Sequence, residues 1–309
     1  MHRYAALTSV AILGGVLLSS PALSDDGAPL FTPPSEEAFG VTREFFSYDQ
    51  GIPLDARVVE QREIEGAVIE KIVFSGADGS RVPGYFAIPQ QGDGPHACVI
   101  LIHGLGGSKD DWWDPASFHG GGELSQRLLG QGVAVLTLDI EFHGERGASN
   151  DFESPNVLVF QRGWLHRVRD MVVRSVVEHR RAMDYLQTRA EIDTDRIWVL
   201  GYSLGGMMAF QLAALDDRVS AAVSCVSPIL QFGPAAMRVQ NYAPYIDATP
   251  FLMMIGDADS RNYAPEDARA VLDLIRSDDR DLISYESGHR LPEEWITESS
   301  DWLLRRIRD

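Results

Sequence analysis

The chain alternates between short apolar runs and longer amphipathic segments from about residue 97 onward. Before that point, three runs read as strands, and turn residues at 78–80 join the last two as a hairpin. Beyond it, strand-like runs alternate with helical patterns, which is typical of a parallel sheet covered on both faces. The predicted strands are 56–59, 67–74, 84–88, 97–102, 133–140, 197–200, 221–226, 250–255 and 282–285.

The segments with helical spacing predict helices between these strands, and two long polar or mixed segments interrupt the alternation. The predicted helices are 123–129, 168–188, the stretch directly after residue 205, 265–277 and 293–306. The interrupting segments, 141–165 and 228–248, both follow C-terminal strand ends, where open α/β sheets bind ligands. We therefore expect them to wall a site, with solvated excursions of no role as the alternative.

The strand at 197–200 runs directly into a Gly-x-Ser-x-Gly motif, and a helical pattern follows at once. Strand, sharp turn and helix together are typical of a nucleophile elbow. Gly201 and Gly205 remove side chains that would crowd a turn in which Ser203 is held in a strained conformation. The sequence therefore predicts Ser203 as a nucleophile and the Leu204 amide, at a helix N-terminus, as an oxyanion donor. A plain Gly-rich link between strand and helix is the alternative.

A serine nucleophile needs a base within hydrogen-bond reach. Of the eight histidines, only His289 lies in a short loop between a late strand and the terminal helix. Gly288 lets the backbone turn there, so that the imidazole can swing over the sheet edge. We therefore expect His289 to be the general base, with a surface loop histidine as the alternative.

The acid should follow a strand that lies between the serine and the histidine, because this elbow fold uses the chain order Ser, acid, His. The strand at 250–255 ends in Gly256, Asp257, Ala258 and Asp259. Turn geometry favours Asp259 as the carboxylate that orients His289, and Asp257 as a residue that caps the turn. The reverse assignment is the alternative.

A second oxyanion donor is expected in the loop after the first parallel strand, where 103–107 reads His-Gly-Leu-Gly-Gly. Its glycines allow the backbone to approach a substrate, and we assign the Leu105 amide to this role. His103 is expected to fix the loop by hydrogen bonding. No set of ligands with zinc spacing accompanies it, so the sequence predicts no metal and no cofactor.

Composition limits the partners of the protein. The 309 residues carry a formal net charge of −18, which argues against nucleic acid and gives no attraction to anionic membranes. Cys98 and Cys225, the two cysteines, both fall in buried strand patterns and are expected to be free thiols.

The N-terminus has the pattern of a secretory signal. Arg3 precedes an apolar stretch at 5–18, and small residues at 21–24 form a cleavage pattern. We therefore predict a signal peptide at 1–24, a linker or extension at 25–55 and one α/β domain at 56–309, in an exported protein of the periplasm or the medium. An uncleaved membrane anchor is the alternative.

Four of these motifs together resemble the α/β-hydrolase superfamily. They are 103–107 (HGLGG), 201–206 (GYSLGG), 256–259 (GDAD) and 288–289 (GH). The segments 78–85 (DGSRVPGY), which leads to Pro89, and 139–145 (DIEFHGE) are similar to its dienelactone-hydrolase and acetyl-xylan-esterase-like branch. The resemblance implies a mostly parallel eight-stranded sheet with an antiparallel second strand, and carboxylester hydrolysis. True dienelactone hydrolases carry cysteine where Ser203 stands, so a dienelactone substrate is not expected.

The sequence therefore predicts a serine carboxylesterase for small to medium acyl esters. Six apolar residues are candidates for lining its pocket, each with a place in the core as an equal alternative. They are Leu105, Trp112, Trp113, Tyr202, Phe232 and Tyr242. A serine peptidase of the prolyl-oligopeptidase type and a non-catalytic binding module are the competing functions, and oligomeric state and acyl preference are not encoded in any pattern that we recognise.

Overall fold

A computed structural model describes residues 30–92, 94–260 and 263–307, and Phe31–Asp309 form one compact unit. The predicted signal peptide at 1–24 lies outside the described residues. Within them, no helix is long and apolar enough to cross a membrane.

The core is a single sheet of nine strands in the order β1-β2-β3-β5-β4-β6-β7-β8-β9. The strands are β1 Arg57–Ile64, β2 Ala67–Ser75, β3 Arg81–Pro89, β4 His96–Ile102, β5 Ala134–Leu138, β6 Ile192–Tyr202, β7 Val219–Cys225, β8 Phe251–Gly256 and β9 Arg280–Tyr285. Neighbouring strands pair in parallel from β5 through β4, β6, β7 and β8 to β9. The pairs β1–β2, β2–β3 and β3–β5 are antiparallel. The predicted mostly parallel α/β sheet is therefore confirmed.

The number of strands differs from the eight that the family resemblance implies. The additional strand is β1, which lies at the sheet edge and is solvent-exposed along nearly its whole length. It contributes almost nothing to the core, which explains how an edge strand can be added without disturbing the rest. With β2 counted as the first strand, β3 is the antiparallel second strand that the resemblance implies.

Six α-helices accompany the sheet in the described part of the chain. They are α1 Glu36–Glu44, α2 Gly121–Leu129, α3 Leu165–Leu186, α4 Leu204–Leu215, α5 Pro265–Leu274 and α6 Glu294–Leu304. Helix α4 packs on β6 and β7, α3 packs on α4, and α2 packs on α6. Both faces of the central parallel strands are thereby covered, and these strands are buried along their apolar runs.

Helix α1 is not predicted by the sequence pattern, which indicates only a linker there. Ser35 caps the helix by accepting a hydrogen bond from the amide of Ala38 at 3.2 Å. The buried ring of Phe39 stacks on Tyr245 with ring centroids 3.6 Å apart. The segment before β1 is therefore attached to the 228–248 segment through aromatic contacts that the short amphipathic pattern of α1 does not reveal.

The two cysteines are free and fully buried, as expected. Cys98 lies on β4 and Cys225 on β7, with β6 between them. Their separation by an intervening strand leaves them as small apolar core residues.

Candidate functional site

Ser203 stands at the sharp turn between β6 and α4 with φ 57° and ψ −113°, a region that non-glycine residues rarely occupy. A Cβ on Gly201 would lie 1.9 Å from the carbonyl oxygen of Gly205, and one on Gly205 would lie 2.0 Å from that of Ile102. The Ser203 amide donates to the carbonyl of Cys225 at 2.8 Å, which ties the turn to β7. The glycines thus allow three backbone segments to meet closely, and the serine side chain projects beyond the sheet edge.

The structure brings Ser203, His289 and Asp259 together from three separate loops. The Ser203 Oγ lies 2.9 Å from His289 Nε2, and His289 Nδ1 lies 2.6 Å from Asp259 Oδ2. Because a carboxylate only accepts hydrogen bonds, Nδ1 carries the proton and Nε2 is left to accept from the serine hydroxyl. The arrangement can draw a proton from Ser203 as its oxygen attacks an electrophile.

Asp259 and Asp257 occupy different environments at the end of β8. The Asp259 side chain is 3% exposed and faces His289, whereas Asp257 is exposed to solvent. The hydroxyl of Tyr263 accepts from the Gly256 amide at 3.0 Å and lies 3.2 Å from the Gly256 carbonyl oxygen, which holds the start of the turn. The geometry therefore favours Asp259 over Asp257 as the orienting acid.

Tyr202, one residue before Ser203, holds the loop that carries His289. Its hydroxyl donates to the His289 carbonyl at 2.8 Å and accepts from the Leu291 amide at 3.0 Å. The ring is buried against His119, with centroids 4.9 Å apart. Tyr202 therefore braces the loop of His289 by its hydroxyl, a contact between distant segments that its place in the elbow motif does not indicate.

The Gly-rich loop after β4 lies against Ser203. A Cβ placed on Gly104 would be 3.3 Å from the Ser203 Cβ and 3.9 Å from its Oγ. The next residue, Leu105, is half-buried, and the Leu204 amide begins α4 directly after the serine. The structure therefore brings both expected oxyanion donors to the same end of the sheet as Ser203. His103 binds this loop, as expected, through its Nδ1 to the Gly104 carbonyl at 2.8 Å.

Two of the six candidate pocket residues lie in the core instead. The ring of Tyr242 is completely buried between Phe39 and Phe46, and its hydroxyl donates to the Ala236 carbonyl at 2.9 Å. Trp112 is also completely buried, with its ring 4.4 Å from that of His119. Their apolar character reflects packing of α1 and of the loop after β4, which the sequence alone does not distinguish from a pocket wall.

The remaining candidates differ in exposure. Trp113 is partly buried and donates through its indole N–H to the Thr137 hydroxyl at 3.1 Å, which turns it toward β5. Phe232 is 62% exposed at the start of the 228–248 segment, and Leu105 is half-buried in the Gly-rich loop. Of the six, Leu105 therefore lies in the loop beside Ser203, and Tyr202 takes the bracing position described above.

Phe118 is a site residue that the sequence pattern does not single out. Its ring is 55% exposed, and its centroid lies 6.4 Å from those of both His289 and Tyr202. The Arg290 guanidinium lies over the same ring at 5.8 Å. In the sequence, the one feature that could mark Phe118 as a candidate site residue is that it is an aromatic residue in the glycine-rich segment 114–122. This segment has no helical or strand periodicity that would place the ring in the core.

The 141–165 segment reaches the Gly-rich loop, as its position after β5 suggested. The Nδ2 atom of Asn156 would lie 2.4 Å from a Cβ on Gly106, so the two residues are in direct contact. Within the described part of the chain, no group of three or more His, Cys, Asp or Glu side chains is arranged to hold a metal ion.

Known proteins resemble this chain both in sequence and in fold. A family model described as the alpha/beta hydrolase fold matches residues 98–297. The 2,6-dihydropseudooxynicotine hydrolase of Paenarthrobacter nicotinovorans is 29% identical over 210 residues, 68% of this chain and 46% of that protein. The esterase FrsA of Escherichia coli O157:H7 is 23% identical over 193 residues, 62% of this chain and 39% of that protein. The chain thus spans less than half the length of these two curated relatives.

Among solved structures, acetyl xylan esterase 1 from Thermoanaerobacterium sp. JW/SL YS485 superimposes with a TM-score of 0.70 and 18% sequence identity. The alignment covers 89% of this chain and 95% of that one. At this level of identity the similarity establishes the fold alone.

Proposed function

This chain belongs to the α/β-hydrolase fold family, and we propose that it is a serine carboxylesterase acting on small to medium acyl esters through an acyl-enzyme. The observation that carries the proposal is the continuous hydrogen-bonded series from Ser203 through His289 to Asp259. It rests on a strained elbow whose glycines admit no side chain. Strained backbone conformations of this kind cluster at active sites, which supports a catalytic role for Ser203.

In the first half of the reaction, Ser203 Oγ attacks the ester carbonyl carbon while His289 Nε2 takes the hydroxyl proton. The resulting tetrahedral intermediate collapses, its bond to the alcohol oxygen breaks, and His289 returns the proton to that oxygen. Asp259 accepts a hydrogen bond from His289 Nδ1, which keeps the imidazole in its Nδ1–H tautomer and stabilises the transient imidazolium.

In the second half, water attacks the acyl carbon of the Ser203 ester and gives its proton to His289. The bond to Oγ then breaks, His289 returns the proton to Ser203, and the carboxylic acid leaves. In both halves the negative charge on the former carbonyl oxygen is accepted by the amides of Leu105 and Leu204. The positive end of α4 adds to this stabilisation.

The names of similar proteins agree with this chemistry at a coarser level. One of the curated relatives is named an esterase and the other a hydrolase, and the solved structure is named an acetyl xylan esterase. These names support hydrolysis of small-molecule esters as the class of reaction. They leave the acyl and alcohol groups to be determined by experiment.

The N-terminal pattern supports export of the protein to the periplasm or the medium. Arg3, the apolar stretch at 5–18 and the small residues at 21–24 have the order of a signal peptide. Intact mass of the protein recovered from a periplasmic fraction or from the medium tests this proposal. A mass that lacks residues 1–24 is expected, and a full-length chain retained with the membrane would contradict it.

Hydrolysis of p-nitrophenyl acetate by the purified protein tests the activity. The wild-type protein should hydrolyse this ester, and Ser203→Ala should reduce kcat at least about 10³-fold. Wild-type turnover in the Ala variant would overturn the assignment of the nucleophile. Faster cleavage of aminoacyl anilides than of esters would favour a peptidase. Failure of a fluorophosphonate to label the wild type, under conditions that label a control esterase, would favour a binding module.

A further inference from the structure

Two successive peptide groups of the Gly-rich loop are held by two different histidines. His103 Nδ1 lies 2.8 Å from the carbonyl oxygen of Gly104. That carbonyl belongs to the same planar peptide group as the Leu105 amide. In a trans peptide the C=O and N–H bonds point in opposite directions. Fixing the Gly104 carbonyl against His103 therefore also fixes the direction of the Leu105 N–H, the expected oxyanion donor.

The second histidine, His143, holds the following peptide group. The Gly106 amide donates to His143 Nε2 at 3.0 Å. Gly106 has φ +83°, a conformation that favours glycine, and any Cβ there would contact Asn156. With the peptides on both sides of Leu105 held by imidazoles, this residue has little freedom to rotate its amide.

Both histidines are anchored in turn to the backbone at the end of β5. The Ile140 amide donates to His103 Nε2 at 3.1 Å, and His143 Nδ1 donates to the Glu141 carbonyl at 2.8 Å. Each ring therefore has one donating and one accepting nitrogen, and its tautomer is determined by backbone groups that can play only one role. The two rings lie next to each other, with centroids 5.0 Å apart.

A buried ion pair joins the same two loops a few residues further on. Asp139 accepts from the Lys109 amide at 2.9 Å, from Lys109 Nζ at 3.0 Å and from the Glu145 amide at 2.9 Å. A Cβ on Gly144 would lie 2.2 Å from Asp139 Oδ1. The turn after β5 is therefore a rigid support from which His143 can hold the Gly-rich loop.

We propose that His143 is a positioning residue that, together with His103, aims the Leu105 amide at the developing oxyanion. The inference rests on the proposed esterase function. The hydrogen bonds of His143 join it to Gly106 and Glu141, so it acts on the reaction through the loop. The role requires a neutral imidazole, because a protonated ring would turn Nε2 into a donor facing the Gly106 N–H.

The surroundings of both rings keep them neutral. Burial lowers the pKa of His143 to about 4, and the nearby Arg146 adds to the effect, against the opposing hydrogen bond to Glu141. Burial also holds the pKa of His103 well below its ordinary value, and electrostatic repulsion from His143, His179 and His119 lowers it further, against the opposing hydrogen bond to Gly104. The hydrogen bonds that aim the loop are therefore intact throughout the neutral range.

Two substitutions of one residue provide the test. His143→Leu removes the acceptor for the Gly106 amide, whereas His143→Gln can present its amide oxygen in place of Nε2. The leucine variant should lose about 10- to 100-fold in kcat on p-nitrophenyl acetate with little change in KM, because an oxyanion donor acts mainly in the transition state. The glutamine variant should recover most of this loss.

A second readout separates aiming of the amide from general support of the fold. A thionoester puts sulfur, a weak acceptor, where the oxyanion forms. The ratio of ester to thionoester turnover should therefore fall in His143→Leu and remain high in His143→Gln. His96→Gln is the matched control, since His96 makes a comparable backbone contact at the opposite end of β4, 3.0 Å from the Gly132 carbonyl oxygen. It should change neither kcat nor the ratio.

The outcomes are distinguishable from failure of the proposed function. A wild type without esterase activity would contradict the function itself. An active wild type whose leucine variant keeps its kcat and its ester-to-thionoester ratio would overturn the inference alone. If the leucine variant does not fold, the tautomer of His143 in the wild type tests the inference instead. It is measured from the NMR chemical shifts of the histidine ring nitrogens at neutral pH. The inference requires the Nδ1–H tautomer for His143, and the Nε2–H tautomer would overturn it.

Discussion

The hydroxyl of Tyr202 donates to the carbonyl oxygen of His289 at 2.8 Å, so the residue before Ser203 holds the residue whose imidazole contacts the Ser203 hydroxyl. The same hydroxyl accepts from the Leu291 amide, and it therefore spans both ends of the short turn that carries the imidazole. The position of the His289 imidazole relative to Ser203 is thereby fixed from within the elbow strand.

Tyr202→Phe tests this connection, because it removes the hydroxyl and keeps the ring stacked on His119. The loss of two hydrogen bonds worth about 1 kcal/mol each predicts a fall in kcat of up to about 30-fold. KM should change little. Steady-state kinetics on p-nitrophenyl acetate provide the measurement. A substitution of Tyr263 is not a suitable control, because its hydroxyl holds the turn that carries Asp259. An unchanged kcat would mean that the loop is held without Tyr202.

The two acids at the end of β8 should differ sharply in their contribution to catalysis. Asp259→Asn leaves a neutral group facing His289 Nδ1 and favours the wrong tautomer, which predicts a loss of about 10⁴-fold in kcat. Asp257→Asn changes an exposed side chain and should stay within about 2-fold of the wild type. Parallel kinetics on the two variants decide between them, and the reverse order of effects would assign the orienting role to Asp257.

Phe118 should affect the alcohol side of the ester more than the acyl side. His289 delivers its proton to the leaving alcohol, and the exposed Phe118 ring stands next to that imidazole. Phe118→Ala should therefore lower kcat/KM for aryl acetates by about 5-fold relative to methyl acetate. The preference among p-nitrophenyl esters of increasing acyl length should stay the same. A changed acyl preference with unchanged discrimination between alcohols would contradict this position for the ring.

Burial of several imidazoles predicts that the fold weakens in mild acid. Burial lowers the pKa of His119, His143 and His179 to about 4, below the ordinary value of 6.5. Between these values the unfolded chain binds protons that the folded chain does not, so stability falls as the pH decreases from about 6.5 to 4. Each such histidine contributes a slope of up to about 1.4 kcal/mol per pH unit.

His179→Leu tests this pH dependence away from the site. His179 is buried in α3, and its Nε2 has no hydrogen-bond partner among the described residues. Urea unfolding of the variant at a series of pH values gives its free energy of unfolding as a function of pH. Between pH 6 and 4.5, the slope of this free energy against pH should be smaller than in the wild type by the equivalent of about one bound proton. The same slope in both proteins would mean that His179 is protonated in the folded state.

The arrangement of Ser203, Asp259 and His289 could be predicted from the sequence because its determinants are local. Gly201 and Gly205 flank Ser203 within five residues, and the close backbone contacts that require them arise within that turn and with β4. His289 follows from chain order and from the short loop in which it lies. Asp259 follows from its distance after the β8 strand, and its burial distinguishes it from Asp257.

Contacts between distant segments could not be predicted in this way. Tyr242 and Trp112 have the composition of pocket residues, but α1 and the loop after β4 enclose them in the core. The bond between His143 and Gly106 joins residues 37 positions apart. No periodicity indicates such a contact, since it depends on the adjacency of β4 and β5 in the sheet and on the turn that follows β5.

The most direct test of the proposed nucleophile is the mass of the protein after reaction with a fluorophosphonate. The wild type should gain one phosphonyl group, located on the peptide that contains Ser203, and Ser203→Ala should gain none. Phosphonylation of a different residue, or equal labelling of the Ala variant, would contradict the proposal that Ser203 is the nucleophile of a serine hydrolase.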